Sequence, residues 1–128
     1  NPGYYGGEEK DLCIRLMDKG YSIMRFPAVQ IWHDKTNIAR DFRMQHRSGV
    51  CNDLVFMWRR TPFIYLFPSL FHKLYRHLRY SMKYKPVSLT KSCLQGIGDF
   101  FKFLLSGKIN RKAVSIQAFK KYLSFNGM

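Results

Sequence analysis

The sequence predicts an α/β fold in which one helix and two short strands precede a series of amphipathic helices. Apolar residues recur at helical spacing in residues 8–19, and β-branched and aromatic residues dominate residues 21–32. Helical periodicity returns at about residue 44. Two regions are therefore predicted, residues 1–43 with the helix and strands, and residues 44–128 as a basic, aromatic helical region.

The first predicted helix runs from Glu8 to Lys19. Glutamates occupy its first turn, where the helix dipole favours negative charge. Asp11 and Arg15 are four residues apart, a spacing that predicts an ion pair along the helix. Gly20 follows at the position where glycine commonly ends a helix.

Extended chain is predicted to follow this helix. Pro27 cannot donate to a strand ladder, so the sequence predicts two short strands, at about 22–25 and 28–32, and not one long strand. His33 ends the second of them. Ligands of open α/β sheets bind at strand ends, which makes His33 a candidate functional residue.

The remainder of the chain is predicted to be helical. Proline and glycine mark the expected boundaries, including Thr61-Pro62 and Gly107. The predicted helices cover about 44–60, 63–83 and 92–106, with a linker over 85–91 and a last helix that starts at the N-cap candidate Ser115.

The charge is concentrated in the helical region. The 128 residues include 22 lysines and arginines against 8 acids, and aromatic residues make up 16% of the chain. After Asp53 the only acid is Asp99. An apolar fraction of 46% excludes wholesale disorder. We expect the basic, aromatic surface to attract phosphates or anionic lipid.

Several simple classes of protein do not fit the sequence. Three cysteines at long spacings form neither a disulfide framework nor a zinc motif, so we expect free thiols in a reducing compartment. No apolar run reaches the roughly 18 residues of a membrane-spanning helix. The chain opens with Asn1-Pro2-Gly3 and not with Met, from which we expect it to be part of a longer protein.

Two groups of residues could carry chemistry. The acidic cluster Glu8-Glu9-Lys10-Asp11 follows a glycine-rich loop, and a carboxylate at a rigid helix start is suited to act as a general base. The same acids could simply compensate the helix dipole. His33 could bind a metal or a phosphate, or could be a structural histidine. The residue pattern alone leaves both alternatives open.

Read in order, these residues resemble a known family. Tyr4–Leu16, with its acidic pair and Asp-Leu, is followed by Gly20–Ile23 and by Pro27–His33, which ends in histidine. This order is similar to the C-terminal part of family 2 glycosyltransferases, nucleotide-sugar enzymes of the Rossmann-like GT-A fold. A looser likeness continues at Asn52–Leu54 and at Gln95–Asp99.

The resemblance implies a role for each matching residue. Glu9 matches the general base that deprotonates the acceptor hydroxyl, and the longer side chain leaves Glu8 as an alternative. Asp11 and Arg15 match supporting positions. His33 matches the histidine that contacts the catalytic metal or the nucleotide diphosphate. The implied reaction is a single displacement with inversion at the anomeric carbon.

The resemblance also implies a cofactor and partners. Enzymes of this family use a divalent cation, Mg or Mn, with most of its ligands in an N-terminal half that carries an Asp-x-Asp motif. No Asp-x-Asp occurs in these 128 residues, so we expect the chain by itself to be inactive. The expected partners are a nucleotide-sugar donor and a glycan or lipid-linked acceptor.

The predicted helix 63–83 is amphipathic and basic, which is typical of a helix in a membrane interface. An ordinary helix that packs its apolar stripe and solvates its charges is the alternative. The residues predicted to face the membrane are Phe63, Phe67, Phe71, Lys73, Arg76 and Arg79. We therefore expect peripheral attachment to an anionic membrane surface, at the cytoplasmic face of a bacterial inner membrane.

Two non-catalytic functions compete with the enzyme hypothesis. A basic region with interleaved aromatic residues could bind nucleic acid, or could act as a membrane-surface scaffold. The cations follow helical amphipathicity beside a large apolar stripe, and no recognised nucleic-acid motif is present. We therefore expect no nucleic-acid partner.

Overall fold

The chain forms five α-helices in the computed structural model, which describes residues 7–24, 26, 28 and 41–125. In chain order they are α1 (Glu8–Asp18), α2 (Phe42–Arg60), α3 (Phe63–Tyr84), α4 (Pro86–Leu105) and α5 (Ile116–Phe125). The long helix α2 contacts α1, α3 and α4, and α5 packs against α1. The fold therefore places α2 at the centre.

The predicted α/β fold is wrong for the described residues, which contain helices and no strand. Residues 22–24, the described part of the first predicted strand, are non-helical chain outside any strand ladder. Tyr21 and Met24 are more than half exposed. Strand-forming residues favour extended backbone, but a strand also needs a partner for its hydrogen bonds. The second predicted strand, 28–32, lies outside the described residues except for Ala28.

The observed helix ends show which local sequence signals were sufficient to predict a helix boundary. Helix α2 begins two residues before the predicted start, because the Asp41 side chain accepts hydrogen bonds from the backbone N–H groups of Arg43 and Met44 at 2.9 and 3.1 Å. The predicted linker at 85–91 is wrong, since Pro86 is the first residue of α4. Proline is well suited to a first helical position, where its missing N–H has no partner to lose.

One half of the core joins α1 and α5 to the C-terminal part of α2. Ile14 and Phe119 are fully buried there. Ser115 caps the start of α5 as predicted, because its Oγ accepts a hydrogen bond from the N–H of Ala118 at 3.2 Å. Asp18 accepts a hydrogen bond from the Ser115 N–H at 2.8 Å, which links the end of α1 to the start of α5.

The other half of the core joins the N-terminal part of α2 to α4. Val50 and Cys93 are fully buried in it. The two helix backbones approach closely at Gly96, where an added Cβ would lie 2.5 Å from the carbonyl oxygen of Arg47 and 2.9 Å from the Val50 Cβ. Only glycine fits this crossing without a shift of one helix. Asp99, one turn further along α4, forms a salt bridge with Arg47.

Candidate functional site

The N-terminal turn of α1 presents two acids to solvent. Gly7 begins the helix with a φ of 105°, a left-handed conformation that favours glycine. Glu8 and Glu9 follow it and are both exposed. Neither carboxylate has a salt-bridge or hydrogen-bond partner among the described residues. Both are therefore free to meet a ligand.

The next two residues hold this turn in place. The Lys10 Nζ lies 2.9 Å from Asp53 Oδ1 on α2. Asp11 accepts hydrogen bonds from Arg60 Nε at 2.6 Å and from Arg60 Nη2 at 3.1 Å, a bidentate pair that also fixes geometry. The predicted pair with Arg15 is confirmed, with Nε 2.9 Å from Asp11 Oδ2. The exposed pair Glu8-Glu9 is thus followed directly by two residues, Lys10 and Asp11, that bind α2.

Asp53 is the centre of a cationic cluster between α1, α2 and α3. Its Oδ2 lies 3.1 Å from the His77 Nε2 and 3.7 Å from the Lys73 Nζ, and its Oδ1 binds Lys10. Burial by itself raises the pKa of Asp53, but the His77 hydrogen bond and the two lysine charges outweigh burial and hold that pKa well below its usual range. The carboxylate therefore stays ionised.

The prediction that Lys73 faces a membrane is wrong. Its side chain is only 10% exposed and points to Asp53, so it does not lie on a membrane-facing surface. Burial lowers the pKa of Lys73 more than the attraction of Asp53 raises it. The Nζ-to-carboxylate distance of 3.7 Å is also the longest in the cluster. Among the groups that stabilise the ionised Asp53 carboxylate, the His77 hydrogen bond contributes most, followed by the charges of Lys73 and Lys10.

A second histidine lies beside this cluster. His46 Nε2 is 2.9 Å from the Oγ of Ser81, which donates a hydrogen bond to the His77 carbonyl at 2.8 Å. The rings of His46 and His77 meet edge to face, with centroids 5.7 Å apart. Burial, and secondarily the nearby His77, lower the pKa of His46. His46 is therefore neutral at pH 7.

The Asp53 cluster and His46 line an open groove with a volume of about 1310 Å³. It extends from Lys10 on α1, along α3, to the start of α4. Six lysines and arginines line it, and among the residues that the structure describes Asp53 is the only acid in its lining. The cations are Lys10, Lys73, Arg76, Arg79, Lys83 and Lys85. We call this feature the basic groove.

A second exposed feature of α3 lies beside the basic groove. Five large side chains are each more than half exposed and are spaced by three, four, four and seven residues, which places them on one helix face. They are Ile64, Phe67, Phe71, Tyr75 and Met82. We call this face the apolar stripe. Phe63, also predicted to face a membrane, is 72% exposed at the start of the same helix.

The described residues do not form a metal site by themselves. They contain no group of three or more histidine, cysteine or acidic side chains placed to hold one ion. Glu8 and Glu9 supply only carboxylates at a single exposed turn, and His33 lies outside the described residues. In the same ranges, no helix has both the length and the hydropathy required to cross a bilayer.

Sequence reasoning missed the cluster around Asp53. Residues 41–128 carry three acids, and each has a structural contact: Asp41 caps α2, Asp53 holds Lys10, and Asp99 holds Arg47. An acid that occurs in a strongly basic region is a useful signal, because repulsion among cations favours it wherever they converge. The partners themselves are not visible from spacing, since 43 residues separate Lys10 from Asp53.

Comparison with protein-family models, curated proteins and solved structures finds no match to this chain.

Proposed function

We propose that the chain is part of an inverting nucleotide-sugar glycosyltransferase that transfers a sugar to the hydroxyl of a polysaccharide or glycolipid acceptor. The proposal combines the sequence resemblance with one structural observation. Glu8 and Glu9 are exposed at the start of α1 and have no partner in the part of the chain that the structure describes, while Lys10 and Asp11 anchor the same turn to α2. A carboxylate presented on a fixed backbone is what a general base requires.

In this proposal Glu9 takes the proton from the acceptor hydroxyl as its oxygen attacks the anomeric carbon. The bond from that carbon to the nucleotide diphosphate breaks on the opposite face, so the configuration inverts. Anchoring limits movement of the base relative to the acceptor, which contributes to catalysis through orientation. Asp11 supports the base through Arg60 and Arg15. No step is assigned to a divalent cation, because the described residues do not form its site.

We also propose that the protein works at an anionic membrane surface. The apolar stripe provides the buried side of an interfacial helix, and Arg76, Arg79 and Lys83 lie beside it, where they would meet lipid head groups. Each cation near such a surface adds about 1 kcal/mol of attraction. Lys73 takes no part, because it is paired inside the protein.

The test of catalysis is a Glu9→Gln substitution in the full-length protein. The amide keeps the size of the side chain but cannot accept the proton, so we expect transfer to fall by about 10²- to 10⁴-fold while donor binding is retained. Transfer is measured with radiolabelled nucleotide sugar, and donor binding by equilibrium dialysis. Glu8→Gln is the matched control, one residue away on the same exposed turn.

The outcomes separate the two glutamates. Loss of transfer in Glu8→Gln alone would move the base to Glu8. Unchanged transfer in both variants would remove the general-base assignment from this turn.

Polyanion binding without catalysis is a second candidate function, and the basic groove is the observation that favours it. Its cations outnumber its single acid. Under this alternative, both glutamine variants would leave the biological activity unchanged, whereas neutralisation of the groove would abolish it.

A further inference from the structure

We propose that the basic groove binds the diphosphate of a membrane-anchored, lipid-linked acceptor. The identification of the bound group as an acceptor rests on the proposed function. The affinity of the groove for a diphosphate does not depend on the proposed function and can be measured separately.

The first argument is the charge of the groove. Among the described residues its one carboxylate is that of Asp53, which is already held by Lys10, Lys73 and His77. The remaining cations have no carboxylate within salt-bridge distance among the described residues. They are Arg76, Arg79, Lys83 and Lys85. A concave surface with several unmatched cations concentrates field lines and attracts a multiply charged anion.

The second argument is the spacing of these cations along α3. Arg76, Arg79 and Lys83 are separated by three and four residues, so they project from one face of the helix. At 1.5 Å per residue the three positions span about 10 Å, a distance that side chains of this length can close around one diphosphate. Arginine is suited to this contact because its planar guanidinium donates two parallel hydrogen bonds to phosphate oxygens.

The third argument is the surroundings of the groove. The apolar stripe lies on the neighbouring face of α3, and Tyr75 belongs to both features. Lys10, next to Glu9, lines the other end of the groove. A lipid tail along the stripe and a diphosphate in the groove would lie side by side. Lys10 brings the turn that carries Glu9 next to the groove, although Glu9 itself is not a lining residue.

A single-stranded nucleic acid is the competing ligand, because cations and tyrosines also suit a phosphate backbone and stacked bases. Tyr80 and Tyr84 have ring centroids 4.7 Å apart at one end of the groove. A nucleic acid, however, would leave the apolar stripe exposed to water, and exposed apolar patches usually mark an interaction site. The observations therefore favour the lipid-linked diphosphate.

The test measures binding of inorganic pyrophosphate to the full chain by isothermal titration calorimetry at constant ionic strength. We expect an Arg76→Ala/Lys83→Ala variant to bind about tenfold or more weakly, because each lost contact is a charge-assisted hydrogen bond. Lys120→Ala/Lys121→Ala is the control, since it removes the same charge from exposed positions on α5 outside the groove. Its affinity should remain within about twofold. Circular dichroism checks that both variants are folded.

A second arm identifies the source of the diphosphate. Neutral phosphatidylcholine vesicles that carry farnesyl diphosphate should retain the protein, and the same vesicles without it should retain much less. Retention should fall in the Arg76→Ala/Lys83→Ala variant and persist in the Lys120→Ala/Lys121→Ala control.

Four results would overturn the proposal: no pyrophosphate binding, equal weakening in both double variants, no effect of farnesyl diphosphate on vesicle binding, or binding only to a single-stranded oligonucleotide. None of them depends on transfer activity. Conversely, failure of the Glu9→Gln test would leave these binding results in place.

Discussion

Charged side chains are arranged differently in two regions, the contact between α1 and α2 and the outer side of α3. At the α1–α2 contact, Asp11 is held by Arg60 and Arg15, and Asp53 is held by Lys10 and Lys73. On the outer side of α3, the cations have no carboxylate partner within residues 7–24 and 41–125, and exposed aromatic rings lie beside them. The difference indicates that the first region maintains the fold and that the second is available for a ligand.

The largest effect is expected from Asp53→Asn. The substitution keeps the shape of the side chain but leaves the buried Lys73 beside Lys10 and His77 without a counter-charge. Removal of one partner from a buried ion pair costs about 3 kcal/mol or more of the free energy of unfolding. Urea unfolding followed by circular dichroism measures the loss.

The matched control for Asp53→Asn is the double variant Asp53→Asn/Lys73→Met. It removes the stranded charge as well, and we expect it to recover part of the stability. If the double variant is no more stable than the single one, Lys73 does not depend on Asp53.

A second substitution tests the close approach of α2 and α4 in the core. Gly96→Ala places a Cβ against the Arg47 carbonyl and the Val50 side chain, so we expect a loss of about 1 to 3 kcal/mol. Gly98→Ala is the control on the same helix, where a Cβ meets nothing within 4 Å. Because alanine is the better helix former, it should gain up to about 1 kcal/mol. Equal effects in urea unfolding would contradict the close approach.

A pH series separates the contribution of His46 to stability from that of Asp53. The pKa of His46 is lowered in the folded protein, so the unfolded chain takes up a proton first as the pH falls. The stability is therefore full above about pH 6.5 and declines as the pH falls through that value. Asp53, whose pKa is also lowered, adds a further loss below about pH 4.

Urea unfolding between pH 8 and pH 5 measures the first decline. A His46→Gln variant should show a smaller slope over this range, because its side chain does not titrate. A slope as steep as that of the unmodified protein would assign the decline to another group.

The smallest effect on stability is expected at the apolar stripe. Phe67→Ser/Phe71→Ser changes two side chains that are 54% and 70% exposed, so the free energy of unfolding should change by no more than about 0.5 kcal/mol. Binding to vesicles containing phosphatidylglycerol should nevertheless fall, as measured by co-sedimentation. A large loss of stability with unchanged vesicle binding would mean that the stripe packs inside the protein.

Local signals in the sequence predicted much of the helical structure. The start of α5 at Ser115, the end of α1 before Gly20 and the pair between Asp11 and Arg15 depend on residues within one turn of each other, and all are confirmed. The first predicted strand is not a strand in the described residues 22–24, because a strand depends on a distant partner that no local pattern reveals. The same reason explains Lys73, whose spacing predicted an exposed position.

The sequence by itself determined the positions of most of the helices, the excess of positive charge in residues 41–128 and the acidic pair Glu8-Glu9. These properties depend on composition and on spacing along the chain. Only the tertiary structure decided which cations are used inside the protein and which remain for a ligand. Which cations are paired depends on the packing of α1 and α3 against α2. This packing brings Lys10, Asp53 and Lys73 together across long separations in the chain.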